Sequence, residues 1–156
     1  MKKSRNISRR KFIELFGCSC CGMLVTSCAT VPITERKQLT LYPESVLNRQ
    51  AARAYEKFKS KAKLIKSGSD LDNIIYVGER IQKAVNSFFL KKNLTDPTKN
   101  FSWEYVLVDN KKVKNAWCMP GGKIAVFSGM LEISKDNDGL ATILGHEIAH
   151  AVAKHS

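Results

Sequence analysis

An α+β fold is predicted, with two amphipathic helices, a small antiparallel sheet of about three strands, and a final helix at the C-terminal end. Three observations carry it. Apolar residues recur at helical spacing over residues 44–66 and again over 70–88; short β-rich runs separated by turn residues fill 101–127; an apolar run with helical character begins after residue 138. Helices first, then strands, then a helix is the segregated order of an α+β protein rather than the strict alternation of a parallel α/β sheet. At 156 residues the chain holds one domain with a modest core.

The first helix is read from Leu47, Ala51, Ala54, Tyr55, Phe58, Ala62 and Ile65, which share one face. Ser67-Gly68-Ser69 ends it. Asp70 is the expected N-cap of the second helix, whose stripe is Leu71, Ile74, Gly78, Ile81, Val85 and Phe88. A loop with Pro97 follows, then a strand over 101–108, a polar turn at 109–112, and two short strands near 113–118 and 123–127. Met119-Pro120-Gly121-Gly122 joins the last two, because glycine supplies positive φ at no steric cost. Residues 129–134 form a helical turn, and Asp138 caps a last helix that runs to the end.

The formal charge of +12 is unevenly placed, since six basic residues crowd the first eleven positions against Glu14 alone. Without residues 1–27 the balance is 20 basic to 13 acidic side chains, a solvated surface with a basic lean, and nucleic acid is not an expected partner. Residues 1–27 read as an export signal: a basic start, then a 13-residue apolar run too short to span a bilayer, where about 20 residues are needed. Val25-Thr26-Ser27-Cys28 resembles a lipobox, and Ser8-Arg9-Arg10-Lys11-Phe12 resembles a twin-arginine motif. Cys28 would then carry lipid, and residues 28–43, with two prolines and no helical period, form a lipidated extended tether. The expected location is the periplasmic side of a bacterial cell envelope, anchored by that lipid, the outer membrane favoured over the inner. Beyond Cys28 only Cys118 remains, so no intramolecular disulfide is expected.

The chemistry lies in His146-Glu147-Ile148-Ala149-His150. Two histidines four apart on a helix are about 40° apart around its axis, so both imidazoles can face one metal ion. Glu147, beside the first, can act as general base toward a water that zinc has acidified. Leu140 to Leu144 before the motif and Ala151-Val152-Ala153 after it are apolar, and a carboxylate with two imidazoles in such a helix is costly without a partner. Gly145, unfavourable in mid-helix, points to a close approach of another group to the backbone there. His155 is about 140° from His150 around the helix and cannot share the same ion.

Leu144 to His155 resembles the active-site helix of the M48 family of metallopeptidases, nearest to its bacterial periplasmic lipoprotein branch, which is related to the mitochondrial inner-membrane protease of that family. Asn115 to Gly129 resembles the strand–turn–strand before that helix, and Val31 to Leu39 resembles the opening of the mature proteins. The resemblance makes the last helix a zincin-type active-site helix and residues 44–156 the N-terminal part of such a peptidase domain. It implies one Zn2+ held by His146 and His150, Glu147 as base, and proteolysis of unfolded or damaged envelope proteins. It further implies that a sheet edge within 113–127 holds extended substrate by strand addition, with Asn115, Ala116, Gly121, Gly122 and Ile124 as the substrate-binding residues. Packing of Ile124, Val126 and Trp117 into the core is compatible with that use of an edge. Catalytic zinc sites generally have three protein ligands; the family's third, a glutamate within Glu-x-x-x-Asp on a later helix, has no counterpart after His150. The rival readings are an inactive remnant or peptide-binding envelope lipoprotein, and an anchored helical protein whose motif is accidental.

Overall fold

The computed structural model describes residues 28–30, 37–39 and 43–154, the first two segments as backbone only. The export signal read over 1–27, most of the 28–43 tether, and His155 lie outside the described residues. Two short strands, β1 (Cys28–Thr30) and β2 (Lys37–Leu39), pair antiparallel with each other. There follow α1 (Glu44–Lys59), β3 (Leu64–Ile65), α2 (Ser69–Lys91), β4 (Glu104–Val108), β5 (Ala116–Met119), β6 (Lys123–Phe127), α3 (Ser128–Ser134) and α4 (Asn137–Val152). Among these, no helix is long and apolar enough to cross a membrane.

The α+β class holds, and the sheet is larger and differently wired than an antiparallel three-stranded one. Four strands lie in the order β3-β4-β6-β5, and β4 pairs with β6 in parallel, Glu104 opposite Lys123 through Val108 opposite Phe127. The cause is the connection 109–115. It carries the chain past one strand position, so β5 starts two strand spacings from β4, about 10 Å away, and the return strand β6 fills the gap. The helical stripe read through Ile65 is also cut short. α1 stops at Lys59, and Leu64 and Ile65 pair with Val108 and Leu107 instead. Long-range sheet pairing wins here over local periodicity.

Two apolar clusters lie on opposite faces of the sheet. On one, Ile74, Val77 and Phe89 of α2 and Leu140, Leu144, Ile148 and Val152 of α4 pack against Leu107, Ala116, Ile124 and Val126. On the other, Tyr55 and Phe58 of α1 pack against Val106, Val108, Ala125 and Trp117. β6 is covered on both faces and flanked on both sides, which is why Lys123 to Val126 are all buried. Tyr55 is wholly buried, and its hydroxyl donates to the Ile124 carbonyl at 2.8 Å.

Local signals shift by a residue or two. α2 begins at Ser69 after Gly68, so Asp70 sits in the first turn with Asp72, where both carboxylates favour the helix dipole. The cap of α4 is Asp136, not Asp138: its carboxylate accepts from the Gly139 N–H at 2.8 Å. The β5–β6 turn follows its predicted chemistry. Gly122 N–H donates to the Met119 carbonyl at 3.2 Å, Pro120 takes the second turn position, and Gly121 and Gly122 have φ of +82° and +79°.

Candidate metallopeptidase site

α4 presents the histidines because of where its apolar residues fall. Leu140, Leu144, Ile148 and Val152 recur every four residues and face the sheet, all buried. His146 and His150 are each two positions from that stripe, about 200° around the axis, so they face outward on the opposite side, and both are exposed. Their Nε2 atoms lie 3.0 Å apart and their rings stand nearly perpendicular, 88° between planes with centroids 4.5 Å apart. Two Zn–N bonds of about 2.0–2.1 Å at a tetrahedral angle put the nitrogens about 3.3 Å apart, so this convergence fits two ligands of one ion. Without metal, one ring donates a proton and the other accepts it.

Glu147 lies about 100° from the apolar stripe, on the flank of the helix, and is half-buried. Its neighbour across the helix–sheet junction is Cys118 of β5. Burial first, then the charge of Glu147, pushes the Cys118 thiol up to about 12. Among the described residues, no group of three or more His, Cys, Asp and Glu side chains is placed to hold a metal.

The sheet brings an edge to this site. Among the described residues β5 pairs only with β6, and it packs along α4. The Phe127 N–H donates to the Asn115 carbonyl at 3.0 Å, and the register places Ala116 opposite Val126 and Trp117 opposite Ala125. In an antiparallel ladder, hydrogen-bonded pairs alternate with non-bonded ones. Asn115, Trp117 and Met119 therefore turn their backbone groups toward β6, and Ala116 and Cys118 turn theirs outward. Of the substrate-binding residues expected from the sequence, Asn115 is exposed at the start of the edge and Ala116 lies on it, its side chain buried.

The other three are placed elsewhere. Ile124 is fully buried on the inner strand β6, with neighbours on both sides. Gly121 and Gly122 are buried in the turn, Gly122 against Trp103. Cys118 was missed; strand alternation places it with Ala116, two residues on. The close approach expected at Gly145 is absent among the described residues: a Cβ there meets nothing within 4 Å.

Behind the hairpin lies a polar network that the sequence did not reveal. Lys123 is 9% exposed and donates from Nζ to the Ser102 carbonyl at 2.6 Å and to Glu104 Oε2 at 3.1 Å. Lys59 binds the other Glu104 oxygen and also Glu56 at 2.7 Å. Burial works against the Glu104 charge, but the hydrogen bonds from the two lysines outweigh it and hold the carboxyl below its ordinary value. Ser102 and Glu104 N–H groups also donate to the carbonyls of Gly121 and Gly122, both at 3.0 Å. The turn is thereby pinned to β4, and β5 with it.

Comparison with known proteins agrees with this geometry. The chain is 49% identical over 61 residues to mitochondrial metalloendopeptidase OMA1 of Arabidopsis thaliana, 39% of this chain and 12% of that protein. The Schizosaccharomyces pombe protein of the same name is 29% identical over 150 residues, 94% of this chain and 42% of the relative. The human mitochondrial metalloendopeptidase OMA1 is 29% identical over 157 residues, 97% of this chain and 29% of the relative. The chain thus spans less than half the length of each.

These relatives overturn the expected location. All three carry mitochondrial names, so a lipid-anchored bacterial-envelope protein is not what the similarities support, and lipidation of Cys28 is not carried further. The basic, acid-poor start on which that reading leaned is common to secretory and organellar targeting segments and does not by itself assign a compartment. The model of Peptidase family M48 matches residues 77–156, from the middle of α2 through the HExxH helix. With just over half its length matched, His146 and His150 on the outward face of α4 and Glu147 on its flank, this chain belongs to peptidase family M48.

Proposed function

We propose that the chain forms the N-terminal part, residues 44–156, of a zinc-dependent metalloendopeptidase domain that acts on extended or unfolded polypeptide. The observation that supports this most is the 3.0 Å convergence of the His146 and His150 Nε2 atoms on either side of Glu147, on a helix that packs along β5. His146 and His150 would hold the zinc. When bound, zinc supplies Lewis-acid polarisation of a carbonyl and acidification of water.

The chain's own residues do the rest. Glu147 takes a proton from the attacking water and passes it to the leaving amine. Ala116 and Cys118 offer outward N–H and C=O groups to the backbone of an extended substrate, which gives affinity without demanding a sequence. Packing of Leu144 and Ile148 on the sheet fixes the distance between edge and helix. The third protein ligand, by resemblance a glutamate on a later helix, is not among the described residues.

Zinc content of the purified chain beside a His146→Ala variant tests the metal reading; equal zinc in both sinks it. Casein cleavage that a chelator and Glu147→Gln each abolish supports catalysis. A second reading, a peptide-binding chain without turnover, rests on the pairing of only two such side chains among the described residues. Zinc binding and peptide binding with no cleavage, restored by appending the following helices of a relative, would select it.

A further inference from the structure

Beyond its backbone, the β5 edge has a charged approach. The connection 109–115 carries Lys111, Lys112 and Lys114, all exposed, and Lys114 stands immediately before Asn115 and the start of the edge. Its one carboxylate, Asp109, is engaged elsewhere, paired with Lys63 at 2.6 Å. Among the described residues none of the three ammonium groups has an ion-pair partner.

The connection is also fixed in place. Asn110 N–H donates to the Ser128 hydroxyl at 2.9 Å, Gly129 N–H donates to the Asn110 carbonyl at 3.3 Å, and the Asn110 side chain accepts from Lys112 N–H at 3.1 Å. A Cβ at position 129 would lie 2.3 Å from the Lys111 carbonyl oxygen and 2.6 Å from that of Val113. Only glycine lets this loop seat so closely on α3. The lysines are therefore held at one end of the edge strand rather than carried on a wandering loop, and little ordering cost opposes their use.

We propose that Lys111, Lys112 and Lys114 form a basic approach to the β5 edge that selects polypeptides carrying acidic side chains on one side of the segment seated against Ala116 and Cys118. This rests on the strand-addition reading above and gives it a substrate class. A chain added along β5 and continued past Asn115 advances about 3.3 Å per residue, so its next few side chains come within the roughly 10 Å over which charges are felt at 0.1 M salt. Continued past Met119 it moves away from these three lysines at the same rate. Charge complementarity favours an acidic flank, and the asymmetry of the edge confines the preference to one side.

The test uses three fluorescein-labelled peptides with a common neutral Val-Thr repeat: one with three glutamates before it, one with three after it, and one with serines at both ends. Binding to the full chain is read by anisotropy, and contact with the edge by slowed amide exchange at Ala116 and Cys118. One glutamate peptide is expected to bind about five- to tenfold tighter than the neutral one in about 20 mM salt, the other no better than neutral. The advantage should vanish in the variant Lys111→Gln/Lys112→Gln/Lys114→Gln, which alters only exposed side chains and should leave neutral-peptide binding unchanged. Equal affinities, equal gains on both flanks, or a preference that survives in the variant would overturn the proposal. So would a variant that loses binding to phosphatidylglycerol vesicles or to an oligonucleotide while its peptide preference stays intact. Absence of any exchange protection at Ala116 and Cys118 with the neutral peptide is the separate signature that strand addition itself has failed.

Discussion

His146 and His150 meet Nε2 to Nε2 at 3.0 Å, on successive turns of α4 and on the side away from its buried stripe. The helix backbone sets this meeting, so neither imidazole needs a large rearrangement to share an ion. Catalytic zinc sites generally have three protein ligands, and the proposed site assigns two, His146 and His150, among the described residues, with no group of three or more there. Zinc binding by this chain is accordingly expected to be measurable but weak by calorimetry, and His150→Ala should reduce its affinity by at least about tenfold, the scale on which even outer-shell partners act. Glu147→Gln should leave it within about twofold, because the glutamate is not a ligand. Affinity that is unchanged in His150→Ala would count against a shared ion.

The start of α4 offers a second, independent check. Asp136 accepts from Gly139 N–H at 2.8 Å, whereas Asp138 sits inside the first turn. Asp136→Ala should lower unfolding free energy by about 1 kcal/mol, with Asp138→Ala costing a few tenths through the dipole alone. Denaturant unfolding of the two variants distinguishes them, and the reverse order would move the cap back to Asp138.

Much of this was legible beforehand, and the reasons are local. The last helix announced itself through Leu140, Leu144 and Ile148 at helical spacing with the HExxH run among them, and the Pro120-Gly121-Gly122 turn through residues that few other structures tolerate. What was not legible is set by distant partners. Leu64 and Ile65 continue a helical stripe perfectly well and become a strand only because β4 offers its edge. The parallel β4–β6 pair depends on where a seven-residue connection lands. Ile124 looked available for substrate because adjacent hairpin strands cannot be ranked as inner or edge without the sheet order. Lys123 reads as a surface lysine until Glu104 and Ser102, some twenty residues back, close over it.

That network gives a pH dependence whose sign is fixed. Glu104 is held below its ordinary value of 4.5, with burial opposing its charge and hydrogen bonds from Lys59 and Lys123 prevailing. A depressed folded value means the contribution is present above about pH 4.5 and is lost as pH falls through the lower folded value. Glu104→Gln should cost about 1–2 kcal/mol at pH 7, since it leaves the buried Lys123 ammonium without a counter-charge, and the cost should shrink as pH falls below the ordinary carboxyl value. Thermal melts at pH 7 and pH 3 read this directly. A penalty that persists undiminished at pH 3 would show that packing, not charge, is what the substitution removes.

The two turn glycines separate backbone strain from crowding. Gly121 and Gly122 have nearly the same positive φ, but a Cβ at 121 would meet only Asn48 at 3.5 Å, an ordinary contact, while one at 122 would lie 2.8 Å from the Trp103 ring. Both alanine substitutions carry the strain of a left-handed residue, of order 1 kcal/mol. Only Gly122→Ala adds a clash with a ring already packed on Phe101 at 5.2 Å between centroids, which raises its expected cost to about 2–4 kcal/mol. Because Gly122 also receives the Glu104 N–H bond that pins the hairpin, its alanine variant should speed amide exchange at Trp117, whose N–H points into the β5–β6 ladder. Gly121→Ala should leave that exchange nearly unchanged. Equal destabilisation by the two substitutions would mean that Trp103 can move aside and does not brace the turn.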